Sequence, residues 1–192
     1  MSHSETDRAW SLLIAARDSY RAATSPNYDE VLWEVSQRAE ASGSLGKADI
    51  GALVVWKRLS ARTRWASALM ALPDTQVRAA TGKAWEAVRD TSRPRALAAQ
   101  AGRAALATLP GFHKGDALAS AVLTAAAPLR MAVYDSRAQR ALETLGLTLT
   151  DDSGRYGRYM GLIDGLLTRR QSSEHEWTAR DVDIALFWIG GA

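Results

Sequence analysis

The stretch LPGFHKGDALASAVLTAAAPLRMAVYDSR, residues 109–137, decides the fold of this 192-residue chain. A Pro-Gly turn opens it, small and apolar residues with helical periodicity fill its middle, and Pro128 ends that helix. An apolar segment then leads to an isolated acid, Asp135, at the start of the next helix. Because a glycine-containing turn joins two helical segments, the stretch predicts an αα-hairpin followed by a buried connection.

Helical periodicity extends over nearly the whole chain, and no alternating pattern typical of a strand lasts beyond a few residues. We therefore expect an all-α protein of about ten helices, with segments at about 4–23, from 29, from 49, from 74, 94–107, 135–145, 154–169 and 178–189. Asp49 and Thr178 stand where an N-cap is favoured. A single domain over residues 1–192 is expected, with its core at about 94–147. The N-terminal helices and the last two would pack around that core as two lobes beside a cleft.

The composition excludes several kinds of site. The chain has no cysteine, which rules out disulfides, thiolate zinc sites, thiol nucleophiles and cysteine-bound iron–sulfur clusters. Its 47% hydrophobic and 23% charged residues are ordinary for a soluble globular protein. The polar N-terminal segment is neither a signal peptide nor a membrane span, so we expect a cytoplasmic protein with no membrane partner.

Common catalytic motifs are also missing from the sequence. There is no phosphate-binding loop, dinucleotide fingerprint or G-x-S-x-G nucleophile elbow. The segment EHEW around His175 offers too few ligands for a metal ion. The sequence therefore predicts neither a metal nor an organic cofactor.

The hairpin itself is a candidate anion site. Gly111 and Gly115 flank Phe112, His113 and Lys114, and Asp116 follows as a candidate helix cap. Free amides and the dipole at the start of the second helix favour a phosphate, and the lysine at the tip adds positive charge. We expect residues 111–115 to contact phosphates. The alternative is an ordinary αα-hairpin with no ligand.

Asp135 and Arg137 are candidates at the next helix start. An acid here is a common N-cap, but an apolar approach can also hold a carboxylate at a cleft wall. There it would orient a water molecule or stabilise a sugar cation while a glycosidic bond breaks. Arg137 would bind a phosphate, or would instead pair with Asp181 or Asp183 of the last helix.

A basic and aromatic stretch lies at residues 54–65, where four cations stand between two tryptophans: Trp56, Lys57, Arg58, Arg62, Arg64 and Trp65. Such interleaving suits phosphate contacts and base stacking. The alternative is that the tryptophans are core anchors and the arginines face solvent. If Asp135 lines a pocket, we expect Trp56 and Lys57 as further pocket residues.

Residues 106–147 resemble the core of the helix-hairpin-helix DNA glycosylases, the HhH-GPD superfamily with the 8-oxoguanine glycosylase-like fold. The resemblance rests on the LPG hairpin, the small-residue helix, Pro128, the apolar segment and the acid at 135. It implies a hairpin that grips double-stranded DNA, a base extruded into a cleft, and Asp135 as the catalytic carboxylate. The chain departs from the family in three ways. His113 takes the place of a glycine, Ala117 takes the place of the lysine nucleophile found in bifunctional members, and the cluster-binding cysteines of some members are absent.

Three functions remain open from the sequence. The first is a base-excision enzyme, a monofunctional DNA glycosylase that removes a damaged or modified base. The second is a non-catalytic helix-hairpin-helix protein that binds DNA. The third is a helical scaffold for protein interactions without nucleic acid.

Overall fold

The computed structural model describes residues 3–60, 64–169 and 176–191. Within these ranges the chain is helical without a strand, so the prediction of about ten helices and no sheet is confirmed. The ten α-helices are α1 His3–Ala23, α2 Glu30–Ser42, α3 Lys47–Trp56, α4 Arg64–Ala71, α5 Asp74–Arg89, α6 Arg95–Leu106, α7 Ala117–Ala126, α8 Ser136–Thr144, α9 Arg155–Arg169 and α10 Ala179–Ile189. A short 3-10 helix, Pro26–Asp29, precedes α2. None of the described helices has both the length and the apolarity needed to cross a bilayer.

Helix α7 lies at the centre of the packing. Every residue from Leu118 to Ala126 is buried, and the helix contacts α2, α3, α5 and α6. Helix α6 approaches its neighbours closely at a glycine. At Gly102 of α6, an added Cβ would lie 2.8 Å from Val88 and 2.9 Å from Leu123. The small-residue helix predicted from the sequence is therefore a core helix.

Helices α1, α8 and α9 pack against α10, and α9 in turn contacts α6. Trp177, just before α10, packs edge-on against Trp10 of α1 with ring centroids 4.9 Å apart. These contacts bring the C-terminal helix beside the start of α8, where Asp135 lies.

Of the two N-caps predicted from the sequence, one is observed and the other is not. Thr178 caps α10 in a capping box with Asp181, as predicted. Asp49 is not an N-cap, because α3 begins two residues earlier, at Lys47. Gly46 is the N-cap, and Asp49 accepts a hydrogen bond of 2.9 Å from the Gly46 amide. The acid still satisfies an amide at the helix start, but from the third helical position.

Candidate functional site

Residues 131–134 form the buried, non-helical connection that leads to Asp135. Because the segment is not helical, several of its backbone amides and carbonyls form hydrogen bonds with side chains. The hydroxyls of Tyr156 and Tyr159 each donate a 2.9 Å hydrogen bond to a carbonyl of this segment, and Ser120 Oγ accepts a 2.9 Å bond from one of its amides. Burial raises the pKa of both tyrosines, which keeps them protonated as donors. The position of Asp135 is therefore fixed by the core.

Asp135 uses its two carboxylate oxygens for different contacts. Oδ1 accepts hydrogen bonds from the backbone amides of Arg137 and Ala138, at 2.9 and 3.0 Å, and so caps α8. Oδ2 lies 3.5 Å from the ammonium of Lys57. The Asp135 side chain is 23% exposed, so hydrophobic packing does not close it off from solvent. The residue is an N-cap, as one interpretation predicted, and its second oxygen is left to the ion pair with Lys57.

The groove beside Asp135 has a volume of about 590 Å³, within the range of small-molecule pockets. It lies where the ends of α1 and α3, the starts of α7 and α8, and α10 meet. Its walls include three cations, the acid and several aromatic or small residues: Lys57, Arg58, Arg137, Asp135, Tyr20, Tyr28, Phe187 and Ala117. The structure thus brings together Asp135, Lys57 and Arg137, three of the candidates chosen from the sequence.

Of the two expected pocket residues Lys57 and Trp56, only Lys57 lines this groove. The Lys57 side chain is 11% exposed, and its ammonium lies 5.3 Å from the Phe187 ring and 5.5 Å from the Trp56 ring. Trp56 is only 4% exposed, and its indole nitrogen donates a 3.1 Å hydrogen bond to Asp29. Trp56 was expected to line the groove, but it does not. Its large ring packs in the core, where it is a buried anchor behind Lys57.

A buried charge network lies behind these residues. Arg180 donates to both carboxylate oxygens of Asp29, at 2.9 Å each, and pairs with Asp183 one helical turn away. Burial raises the pKa of Asp183, although the positive charge of Arg180 opposes that shift. Burial disfavours the charge on Arg180, yet the carboxylates of Asp183 and Asp29 raise its pKa overall. Because Asp29 also holds Trp56, the network supports the end of α3 and with it Lys57.

Sequence reasoning missed this network. Arg180 and Asp183 stand three residues apart on one helix, a spacing that favours an ion pair and offered a signal. Asp29 gave no such signal, because 151 positions separate it from Arg180.

The hairpin between α6 and α7 has a closed side and an open side. Gly111 has φ +90°, and an added Cβ would lie 2.5 Å from the Trp65 ring, which covers that face. Phe112 is fully buried, and its ring packs in the core, so its side chain is not part of the hairpin's exposed surface. His113, Lys114 and Gly115 are exposed. The surface that the hairpin offers to a ligand is therefore residues 113–115.

Asp116 occupies the N-cap position of α7, but its side chain makes no capping hydrogen bond. Instead, its carboxylate accepts bonds of 2.8 Å from Arg103 and 2.8 Å from Arg155. The predicted cap is thus wrong in its contacts, because two arginines compete with the helix amides for the carboxylate. Their charges offset the repulsion that Asp116 would exert on a phosphate.

The hairpin and Asp135 line two different cavities, not one shared groove. Gly115 and Asp116 line one of about 570 Å³ together with His113 and Lys114. The next residue, Ala117, lines the groove of Asp135. The two linings therefore share no residue, and only at the start of α7 do they include consecutive residues.

Arg137 has no carboxylate partner among the described side chains. Asp181 pairs with Arg17 and Arg21, and Asp183 pairs with Arg180. The alternative of an Arg137 salt bridge to the last helix is therefore wrong. Its guanidinium stacks 4.4 Å from the centre of the Phe187 ring and remains exposed.

The other sequence candidates are only partly placed. Arg62 of the basic stretch and His175 of EHEW lie outside the described residues. Within the described ranges, no three His, Asp or Glu side chains are grouped as metal ligands. No family model, curated protein or solved structure matches this chain.

Proposed function

We propose that this chain is a base-excision protein: a monofunctional DNA glycosylase of the helix-hairpin-helix kind that binds double-stranded DNA and removes a damaged or modified base. One observation carries the proposal. Asp135 is fixed by its own helix cap and by a buried connection, yet it lines a groove of about 590 Å³ rimmed by cations, and its second oxygen is not used by the cap.

The chemistry follows from the two oxygens of Asp135. When the bond between a base and its deoxyribose breaks, positive charge develops on the sugar. Oδ2 would stabilise that charge and orient the attacking water, while Oδ1 stays bound to the α8 amides and holds the side chain still. The contact with Lys57 is long, at 3.5 Å, so a substrate can displace the ammonium without breaking a short hydrogen bond.

Double-stranded DNA would be held at the hairpin. The exposed turn at residues 113–115 and the amides of the first turn of α7 favour a phosphate, since Asp116 leaves those amides uncapped. Arg137, exposed and unpaired by any described carboxylate, adds a cation at the groove. An extruded nucleotide would then pass from the hairpin side of α7 to the groove side, past Ala117.

The monofunctional assignment rests on Ala117. This residue stands at the place of the lysine nucleophile of bifunctional members, lines the groove, and carries no amine. The groove does contain one amine, that of Lys57, but it pairs with Asp135, so we take water as the nucleophile. Base removal would leave an abasic site that breaks only after alkali treatment.

A panel of duplexes, each with a different base lesion, tests the proposal. Wild-type protein should release the base from at least one lesion, with strand breaks after alkali and few before it. The Asp135→Asn variant should lose this activity, and the Asp18→Asn variant should keep it, because Asp18 is an exposed acid on α1 outside the groove. If no lesion is processed, or if Asp135→Asn remains active, the enzyme proposal is wrong.

A second candidate function has an observation of its own. Trp33 and Leu129 are 43% and 62% exposed, and both line a separate, mostly apolar cavity of about 430 Å³. Exposed apolar surface of this kind favours a protein-interaction scaffold. DNA affinity that falls steeply with salt would argue against the scaffold. DNA binding without base release would instead favour a non-catalytic helix-hairpin-helix protein.

A further inference from the structure

Arg58 ends helix α3 in an unusual backbone conformation. Its φ is +52°, and it is the one non-glycine residue with a positive φ in the described part of the chain. The Arg58 amide donates to Val55 at 3.0 Å, and the Leu59 amide donates to Val54 at 2.9 Å. These two bonds define a Schellman motif, whose left-handed position is usually a glycine because a Cβ is strained there.

The arginine at this position therefore acts against the stability of the fold. Its side chain offers no compensating ion pair, because no described carboxylate pairs with it. The guanidinium lies 5.9 Å from the Tyr28 ring, and the residue is exposed where it lines the groove of Asp135. A strained residue with a free charge at a groove is typical of a binding position.

Arg58 shares its exposure and its lack of a described carboxylate partner, though not its backbone strain, with Arg137, the other exposed arginine of the groove. The two approach it from different elements, the end of α3 and the first turn of α8. Many other arginines of the chain are satisfied by carboxylates, as Arg103 and Arg155 are by Asp116. The groove thus has one carboxylate that is already bonded to amides and two guanidinium groups that are free to bind an anion.

We propose that Arg58 and Arg137 bind the two phosphodiester groups on either side of the nucleotide whose sugar faces Asp135. The proposal rests on the base-excision function, which supplies the nucleotide, and it assigns Arg58 as a phosphate-binding residue. Guanidinium groups suit this task because their planar donors match two phosphate oxygens. The two arginines would hold the backbone on both sides of the extruded unit.

Salt-dependent binding provides the test. The probe is a duplex with one tetrahydrofuran residue, an abasic analogue that cannot be cleaved at a glycosidic bond. The variants are Arg58→Gly, Arg137→Gln, the double variant, and Lys83→Gln, an exposed cation of α5 outside the groove. Removing one arginine–phosphate interaction should reduce the slope of log affinity against log salt by about 0.9. The double variant should reduce it by about 1.8, and Lys83→Gln should match wild type.

Thermal unfolding of Arg58→Gly separates binding from folding. Glycine relieves the left-handed strain, so its melting temperature should equal or exceed that of wild type while its DNA affinity falls. A lower melting temperature would overturn the inference, because the arginine would then stabilise the fold. An unchanged salt slope in the Arg58 variants would overturn it as well.

Failure of the phosphate-binding inference can be distinguished from failure of the glycosylase proposal. If the lesion panel shows base release and the arginine variants keep the wild-type slope, the phosphate contacts are wrong and the glycosylase stands. If the wild-type chain binds the tetrahydrofuran duplex with the expected slope changes but releases no base from any lesion, the enzyme is wrong and the phosphate contacts stand.

Discussion

Substitutions of Asp135 separate its structural role from its proposed chemical role. Asp135→Ala removes the cap acceptor of α8, which costs about 1 kcal/mol of unfolding free energy. It also removes the partly exposed 3.5 Å pair with Lys57, which after solvent screening contributes about 0.5 kcal/mol. Asp135→Asn keeps an amide oxygen that can accept from the same two backbone amides, so it loses only the ion-pair part.

We therefore expect Asp135→Ala to be less stable than wild type by about 1.5 kcal/mol, and Asp135→Asn by about 0.5 kcal/mol. For a chain of this size, 1 kcal/mol corresponds to about 2–4 °C in melting temperature. Circular dichroism should therefore give a fall of about 3–6 °C for the alanine variant and about 1–2 °C for the asparagine variant.

Activity should follow the charge and not the stability. Both variants should lose base removal by about 10²–10⁴-fold under single-turnover conditions, since neither has a carboxylate at the sugar. An asparagine variant that keeps its activity would refute the chemical role. Equal melting temperatures for the two variants would refute the cap contribution.

Three further predictions concern residues that shape the site or the fold. Gly190→Ala should lower stability by about 1–3 kcal/mol in urea titrations, because its Cβ would overlap the backbone at the start of α8; wild-type stability would contradict the packing. A hydrogen bond from a backbone amide is the main cause that lowers the pKa of Asp74 in the folded protein. Its ionised carboxylate therefore stabilises the fold at pH values above the unfolded-state pKa, and this stabilisation is lost as the pH falls through the folded-state pKa. The melting temperatures of wild type and Asp74→Asn should accordingly converge in acid, and a constant difference would refute this. Gly111→Ala should destabilise more than Gly115→Ala in the same titrations, because both have positive φ but only the first faces an indole ring; equal effects would contradict that contact.

Features set by short sequence spacing were predictable. The three- and four-residue periodicity gives the helices, and the absence of alternation excludes a sheet within the described ranges. The capping box of Thr178 and Asp181 depends on residues three apart. The cap at Asp135 depends on amides two and three residues further along. In each case the partners are neighbours in the chain, so the sequence contains the contact.

Contacts between distant segments were not predictable in the same way. Asp116 was expected to cap α7, but Arg155, 39 positions later, reaches its carboxylate through the packing of α9 beside α6. Phe112 and His113 are adjacent in the turn, and only the turn geometry decides that the first is buried and the second exposed. The groove combines five helices, so its shape depends on tertiary packing that periodicity does not specify.

Hydrogen exchange of the backbone amides, measured with and without the tetrahydrofuran duplex, tests the central claim most directly. The groove beside Asp135 should be the nucleotide site, so peptides covering residues 24–28, 57–59 and 135–138 should gain protection when the duplex binds. Protection confined to residues 33–40 and 127–130, around the separate apolar cavity, would show that the acid at 135 has no part in binding the ligand.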